Sequence, residues 1–223
     1  MGLLVDKVGV LFCLIRGGLV LMGRLLSYAR YNLKQKWRFI YFELDLEAGS
    51  LSALKVNESI VIRIAEKKDI SGIEADIYPF MGPENENDKR YISRIGENSF
   101  KCFIAEKEGK IIHYFLVFEK ALESPLMQTP FYKEKTCDSD AYLGSAFTLP
   151  SARGLWVMPC VLKEIIIFLK NNTNATRVLV LVHEDTVGAV AFFSRLGFSV
   201  MNDACPSNPI ASLAYKLGIL GKK

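Results

Sequence analysis

Histidine is scarce in this chain. Only His113 and His183 occur among 223 residues, 70 positions apart, with no cysteine or acidic cluster spaced to join them. That leaves a zinc site without support. The five cysteines are odd in number and form no CxxC pair. They read as free thiols of a reducing compartment rather than as a disulfide framework. The phosphate loop GxxxxGK(S/T), the HExxH helix and the GxSxG elbow are all missing, and no Cys/His pair is placed for nucleophilic attack. Long uncharged runs are missing too. In the apolar N-terminal stretch the longest cover 8–15 and 17–23, short of the ~20 residues that cross a bilayer core of about 30 Å.

What is present is half hydrophobic and 23% charged, enough for one full core and an extension. The net charge of +4 is unevenly placed. Residues 1–38 hold seven Lys/Arg and one acid, Asp6, leaving 21 basic against 23 acidic side chains in the rest. On a helix of 100° per residue, Asp6, Gly9, Cys13, Arg16, Gly17, Gly23 and Arg24 fall on one arc, with leucine and valine around the remainder. The sequence therefore predicts a helix lying on an anionic membrane surface. Trp37, Phe39, Tyr41 and Phe42 beside Arg30, Lys34, Lys36 and Arg38 extend that expectation to residue 46. The same segment leaves three other readings open: packing on the domain or on a second copy of the chain, which would make a homodimer, a tilted membrane-crossing helix over 8–29 that buries Arg16, and a signal peptide cleaved near Ser27-Tyr28-Ala29. The basic stretch is too short for a nucleic-acid groove, so no nucleic-acid partner is expected. Residues 47–58 read as a linker and 59–223 as the body.

The body alternates strands and helices. Strands are predicted at Ser59–Ile64, Phe100–Glu106, Lys110–Glu119, Ala141–Leu149, Arg177–Val182 and Phe198–Met201, with a last one near Ile210–Leu217. Helices are predicted at Lys68–Tyr78, Asn87–Glu97, Pro159–Lys170 and Thr186–Leu196, the last stopped by Gly197. Glu108-Gly109 marks a hairpin turn. Residues 83–88, Pro-Glu-Asn-Glu-Asn-Asp, read as a solvated acidic loop. The fold class that follows is α/β on one mixed sheet, with an N-terminal amphipathic helical extension.

That order resembles the GNAT acyl-CoA N-acyltransferases over residues 59–218, and the resemblance implies that the mixed sheet is mostly antiparallel and flanked by helices. CFIAEKEGKIIHYFLVF at 102–118 is similar to the family's central hairpin. FTLPSARGLWVMPCVLKEIIIFL at 147–169 looks like its cofactor loop and helix, and VLVLVHEDTVGAVAFFSRLGF at 178–198 like its C-terminal strand–helix unit. The proline in Met158-Pro159 resembles a relative pattern in GNAT-like proteins of surface-polysaccharide gene neighbourhoods. The resemblance implies acyl transfer from acetyl-CoA or another acyl-CoA, or a carrier-protein thioester, to an amine such as an amino sugar or envelope precursor. It implies a donor held between strands 141–149 and 177–182. Phe147, Thr148 and Leu149 would bond the pantetheine arm, and the loop through Arg153, Gly154, Leu155, Trp156, Val157 and Met158 would hold the pyrophosphate at a helix N-terminus. Thr186 stands where the family has asparagine, and Phe193 where it has the tyrosine that protonates the leaving thiolate. Trp156 and Met158 replace loop glycines. Tyr142, His183, Glu184 and Asp185 are the candidate acids and bases near the strand ends. His113 reads as a half-buried, satisfied side chain. The expected location is cytoplasmic, peripheral on the inner face of a membrane. The alternative is a non-catalytic GNAT-like domain that binds or scaffolds at the membrane.

Overall fold

Central strands must satisfy both backbone edges and both side-chain faces, and that requirement organises the sheet. The computed structural model describes residues 38–47, 59–97, 99–128, 136–183 and 186–206. Its strands are β1 (Arg38–Asp45), β2 (Val61–Ile64), β3 (Lys101–Lys107), β4 (Lys110–Phe118), β5 (Asp140–Thr148), β6 (Arg177–His183) and β7 (Ser199–Pro206). Its helices are α1 (Ile70–Asp76), α2 (Glu86–Ile92), α3 (Val157–Asn172) and α4 (Val187–Arg195). One sheet has the order β2-β3-β4-β5-β6-β1-β7. The pairs β2–β3, β3–β4, β4–β5 and β1–β6 are antiparallel, and β5–β6 is parallel. Phe39–Cys205 forms one compact unit. The expected fold class is the one observed in this unit. The N-terminal extension before Arg38, most of the 47–58 linker and the strand expected near 210–217 lie outside the described residues.

Strand β1 corrects the sequence reading. Residues 38–45 were expected on a membrane surface. Instead they pair with β6 from Phe39↔His183 to Asp45↔Arg177, and Tyr41 and Phe42 are fully buried. A run of aromatic and apolar residues such as Phe39–Phe42 suits a lipid interface and a central strand equally well. The partner decides the outcome. β6, RVLVLVH, is buried along most of its length, and a strand of that kind needs a neighbour on each edge.

The two faces of the sheet take different helices. Phe168 of α3 meets Phe103 edge-on at 5.5 Å. Phe103 is opposite Phe115 and Ala105 opposite His113, so these four side chains share the α3 face. Tyr114 points the other way, and its hydroxyl reaches Asp88 of α2. Helix α1 is shorter than predicted because single 3-10 turns at Lys67–Asp69 and Tyr78–Phe80 take up its flanks; α2, preceded by a 3-10 turn at Pro83–Asn85, is shorter because the chain leaves the helix after Ile92 in turns over 93–96. Proline sits in the first positions of the second and third 3-10 turns, where its missing N–H costs nothing.

At one end of the sheet β1, β5 and β6 are clamped. Arg177 on β6 donates from Nε and Nη2 to the carboxylate of Asp140 at 2.9 and 2.8 Å, and from Nη1 to Glu43 at 2.8 Å. Asp140 is fully buried. Its burial opposes ionisation, but Arg177 and Cys137 hold its carboxyl below the usual carboxylate range. At the other end β5 and β6 separate. Their pairing runs from Asp140↔Arg177 to Leu143↔Val180 and stops. β5 stays with β4 as far as Thr148↔His113, and β6 stays with β1 as far as His183↔Phe39. Each strand follows its outer neighbour and a gap opens between them.

The cause is local. Phe115 is opposite Ala146 but Val117 is opposite Leu143. Gly144 and Ser145 therefore face the single residue Leu116, a bulge that bends β5 and increases its twist. A Cβ on Gly144 would lie 3.1 Å from Phe118 Cε2 and 3.2 Å from the Leu116 carbonyl oxygen, so the bulge favours glycine. Gly144→Ala is expected to cost about 1–3 kcal/mol, read as a lower urea midpoint.

Candidate functional site

The gap exposes main chain in the middle of a sheet. Beyond Leu143 no described strand pairs with the inner edge of β5, so Gly144–Thr148 offers peptide groups to whatever enters. The loop after β5 closes one side. Arg153 and Gly154 are exposed, and Gly154 takes φ 83°. Trp156 caps α3 at φ 61°, a left-handed conformation that a bulky side chain seldom adopts, and is 64% exposed. Val157 and Met158 open α3, so their amides lie outside the helix's own ladder. Val157 is buried, while Leu155 and Met158 are half-buried.

The sequence-predicted donor residues divide into those at the gap and those away from it. Phe147 and Thr148 lie on the inner strand. Leu149 does not offer its amide, which donates to the Ile112 carbonyl at 2.9 Å. Thr186 is the exposed N-cap of α4, the helix that follows β6. Phe193 faces the core, 3% exposed and packed against Phe42, Phe192 and Phe198. Phenylalanine is drawn inward there, and without a hydroxyl it cannot protonate a thiolate.

Among the predicted acids and bases, His183 ends β6 at the mouth of the gap, with its ring edge-on to Phe39 at 5.3 Å. Tyr142 lies one residue before the last β5–β6 pair, opposite Leu179. Burial pushes its hydroxyl above the ordinary tyrosine range, which keeps it protonated. Glu184 and Asp185 lie outside the described residues.

The structure adds a carboxylate that the sequence reading placed in a solvated loop. Asp88 belongs to α2 and is only 7% exposed. The Tyr114 hydroxyl donates to its Oδ2 at 2.7 Å, and the Ser145 hydroxyl is close enough to favour its ionised form. Ser145 is exposed on the splayed part of β5. Ser145 therefore adjoins both the buried carboxylate and the gap. Burial raises the Asp88 carboxyl above its usual range, partly offset by the two hydroxyls. A signal for it existed. Asp88 sits four residues before Ile92 and three before Tyr91, on the stripe that α2 turns to the core.

His113 is fully buried rather than half-buried. Its Nδ1 shares a 2.7 Å hydrogen bond with Thr148 Oγ1, at the end of the splayed strand. Its Nε2 has no partner among the described residues. Burial pushes its pKa down to about 3, so the ring is neutral at ordinary pH.

The fold is similar to that of solved GNAT N-acetyltransferases. Solved structures that share it include a GNAT-family acetyltransferase from Colwellia psychrerythraea (TM-score 0.52, 14% identity, 76% of this chain and 55% of that one). A GCN5-related N-acetyltransferase from Kribbella flavida matches with TM-score 0.50 and 11% identity over 75% of this chain and 56% of that one. A tandem GNAT protein from the clavulanic acid biosynthesis pathway gives TM-score 0.51 and 14% identity over 75% and 51%. The chain thus spans about half the length of these proteins. No family model and no curated protein matches the sequence. At these identities the likeness is one of fold.

Proposed function

We propose that this chain is an acyl-CoA-dependent N-acyltransferase. The observation that carries the reading is the gap between β5 and β6, with an unpaired strand edge on one side and the start of α3 beside it. A thioester donor lying there adds to β5 as a strand would, and peptide N–H groups stabilise the oxyanion as it forms. Gly154 lets the loop backbone approach a pyrophosphate closely, and Arg153 supplies positive charge. The amine of the acceptor attacks the thioester carbonyl. The C–N bond forms, the C–S bond breaks, and the sulfur leaves as a thiolate that takes a proton from water. Asp88 accepts the amine's proton, directly or through Ser145. A carboxyl raised by burial is a stronger base once ionised than an ordinary aspartate.

The reading extends to location and acceptor. Residues 1–37 keep the expected role of contacting an anionic membrane surface from the cytoplasmic side. Among the described residues no helix is long and apolar enough to cross a membrane. A truncation that tests this role has to stop before Arg38, because removing residues 1–46 deletes β1 from the sheet. An amino sugar or envelope precursor is the acceptor that such a location favours.

A second reading, a non-catalytic domain of this fold, draws on Trp156 in place of a loop glycine and on the inward-facing Phe193. A thermal shift with free CoA, acetyl-CoA and a long-chain acyl-CoA separates the two. Ligand at 100 times its dissociation constant adds about 2.7 kcal/mol, and a clear rise in Tm with one of the three is expected. No rise with any of them favours the second reading. Trp156→Gly sharpens the result, because glycine accepts φ 61° without strain. Unchanged or weaker CoA binding in that variant supports a working loop, and binding that appears only there supports a closed one.

A further inference from the structure

The exposed apolar side chains of this domain are unevenly distributed. Six large ones stand out among the described residues: Val61, Phe80, Trp156, Ile167, Val187 and Val200. Topology places four of them at the open end of the sheet. Trp156 caps the helix that follows β5, and Val187 begins the helix that follows β6. These strands are parallel, so both positions lie at the end where the strands part. Val61 begins β2 and pairs with Glu106 near the β3–β4 turn, which is the end where β4 begins and β5 ends. Phe80 follows α1, whose last residue, Asp76, accepts the Ile111 amide at the start of β4. The open end therefore presents Val61, Phe80, Trp156 and Val187, exposed by 59%, 57%, 64% and 73%.

The chain also enters the sheet at this end. Phe39 of β1 pairs with His183, the last residue of β6. The 37 residues before Arg38 carry six of the chain's lysines and arginines, one acid and a leucine- and valine-rich sequence. Basic residues mixed with apolar ones favour an anionic lipid surface over a protein groove or water. Tryptophan and phenylalanine at the rim of a domain suit the headgroup region.

We propose that the open end of the sheet is a lipid-docking face. It rests on an anionic bilayer through Phe80, Trp156, Val187 and Val61, and the gap between β5 and β6 opens toward the lipid. The reaction partner that enters the gap is then a lipid-linked molecule. The docking itself goes beyond the acyltransferase reading and stands even if the domain proves non-catalytic; only the lipid-linked substrate rests on that reading.

The chain has two tryptophans, Trp37 and Trp156. In the full chain carrying Trp37→Phe, all tryptophan emission comes from Trp156. Adding vesicles of phosphatidylcholine and phosphatidylglycerol, with no CoA present, is expected to shift that emission to shorter wavelength and shield it from iodide. Vesicles of phosphatidylcholine alone produce neither change. Separately, replacing Phe80, Trp156 and Val187 with serine is expected to weaken partitioning about tenfold at an unchanged Tm, since all three side chains are exposed. The proposal is overturned if the chain sediments with vesicles while Trp156 emission stays put, because the open end then faces water. It is overturned equally if the emission is already shielded without vesicles, which puts protein rather than lipid against Trp156, or if the chain does not bind vesicles. The CoA thermal shift is read independently, so failure of the docking face and failure of the acyltransferase reading are distinguishable.

Discussion

Replacing Asp88 with asparagine is expected to slow acyl transfer by about 10²–10⁴-fold, the contribution of a positioned general base, while leaving the fold intact. Asparagine has the same shape and still accepts the hydrogen bond from Tyr114, which holds the aspartate at 2.7 Å. It cannot accept a proton from the acceptor amine. The stability effect has the opposite sign to that of an ordinary buried pair. The folded protein raises the Asp88 carboxyl above its unfolded value, so the ionised side chain costs stability, and that cost develops as pH rises through the interval. Asparagine removes it, and Tm near neutrality should hold or rise. The measurement is release of free CoA thiol against pH in the presence of the amine. Wild type should lose rate on the acid side as Asp88 becomes protonated, and the variant should lack that limb. A variant with full rate and an unchanged profile would move the base elsewhere, with His183 the first alternative. A residue that merely supported the fold would lower Tm and leave the pH profile alone.

Acid should destabilise this domain well before its carboxylates are all protonated, with His113 responsible. In the unfolded chain that imidazole takes a proton near pH 6.5. In the folded protein its pKa is about 3 because burial excludes the charged form. Stability is thus fully present above about pH 6.5 and falls as pH drops toward 3, where the unfolded state binds a proton that the folded state refuses. At about 1.4 kcal/mol per unit the full interval amounts to roughly 5 kcal/mol, comparable to the whole stability of many domains. Asp88 acts in the opposite direction and returns part of this at low pH. Asp69 and Asp140, both lowered, lose their contribution only below about pH 3.8. Between pH 6.5 and 4 the slope therefore belongs mainly to His113. His113→Leu should flatten it, since leucine has no proton to take and leaves no buried Nε2 without a partner. Thr148 is half-buried and can bond water instead. Urea midpoints at pH 7 and pH 4.5 for both proteins test this. Parallel losses in wild type and variant would show that the acid sensitivity has another source.

Much of the sheet was legible from local pattern. β3, β4, β5 and β6 appear within about two residues of their predicted limits, because each carries apolar or β-branched residues along its length and turns at defined points. Glu108 and Gly109 sit at φ 53° and 77°, as a tight hairpin turn demands. Helix α3 was legible because its apolar face wraps most of the way round. The α1 and α2 limits were less so, since short 3-10 turns carry no period of their own.

The site was only half legible. The spacing that resembles the acyltransferases located the gap strands and the loop at α3, because those positions depend on chain order. It also named Phe193, which aromatic packing against Phe42 and Phe198 turns inward, and it passed over Asp88. The sequence by itself determined the order of strands and helices from β2 onward, the loop that begins α3 and the concentration of positive charge before Arg38, all of which depend on neighbours along the chain. Tertiary structure alone decided that β1 lies between β6 and β7, that a bulge at Gly144 parts β5 from β6, and that Asp88 and His113 are buried beside the opening. Those outcomes depend on partners far away in sequence. A side chain's solvation, and with it its protonation and chemistry, is set by what packs against it rather than by what precedes it.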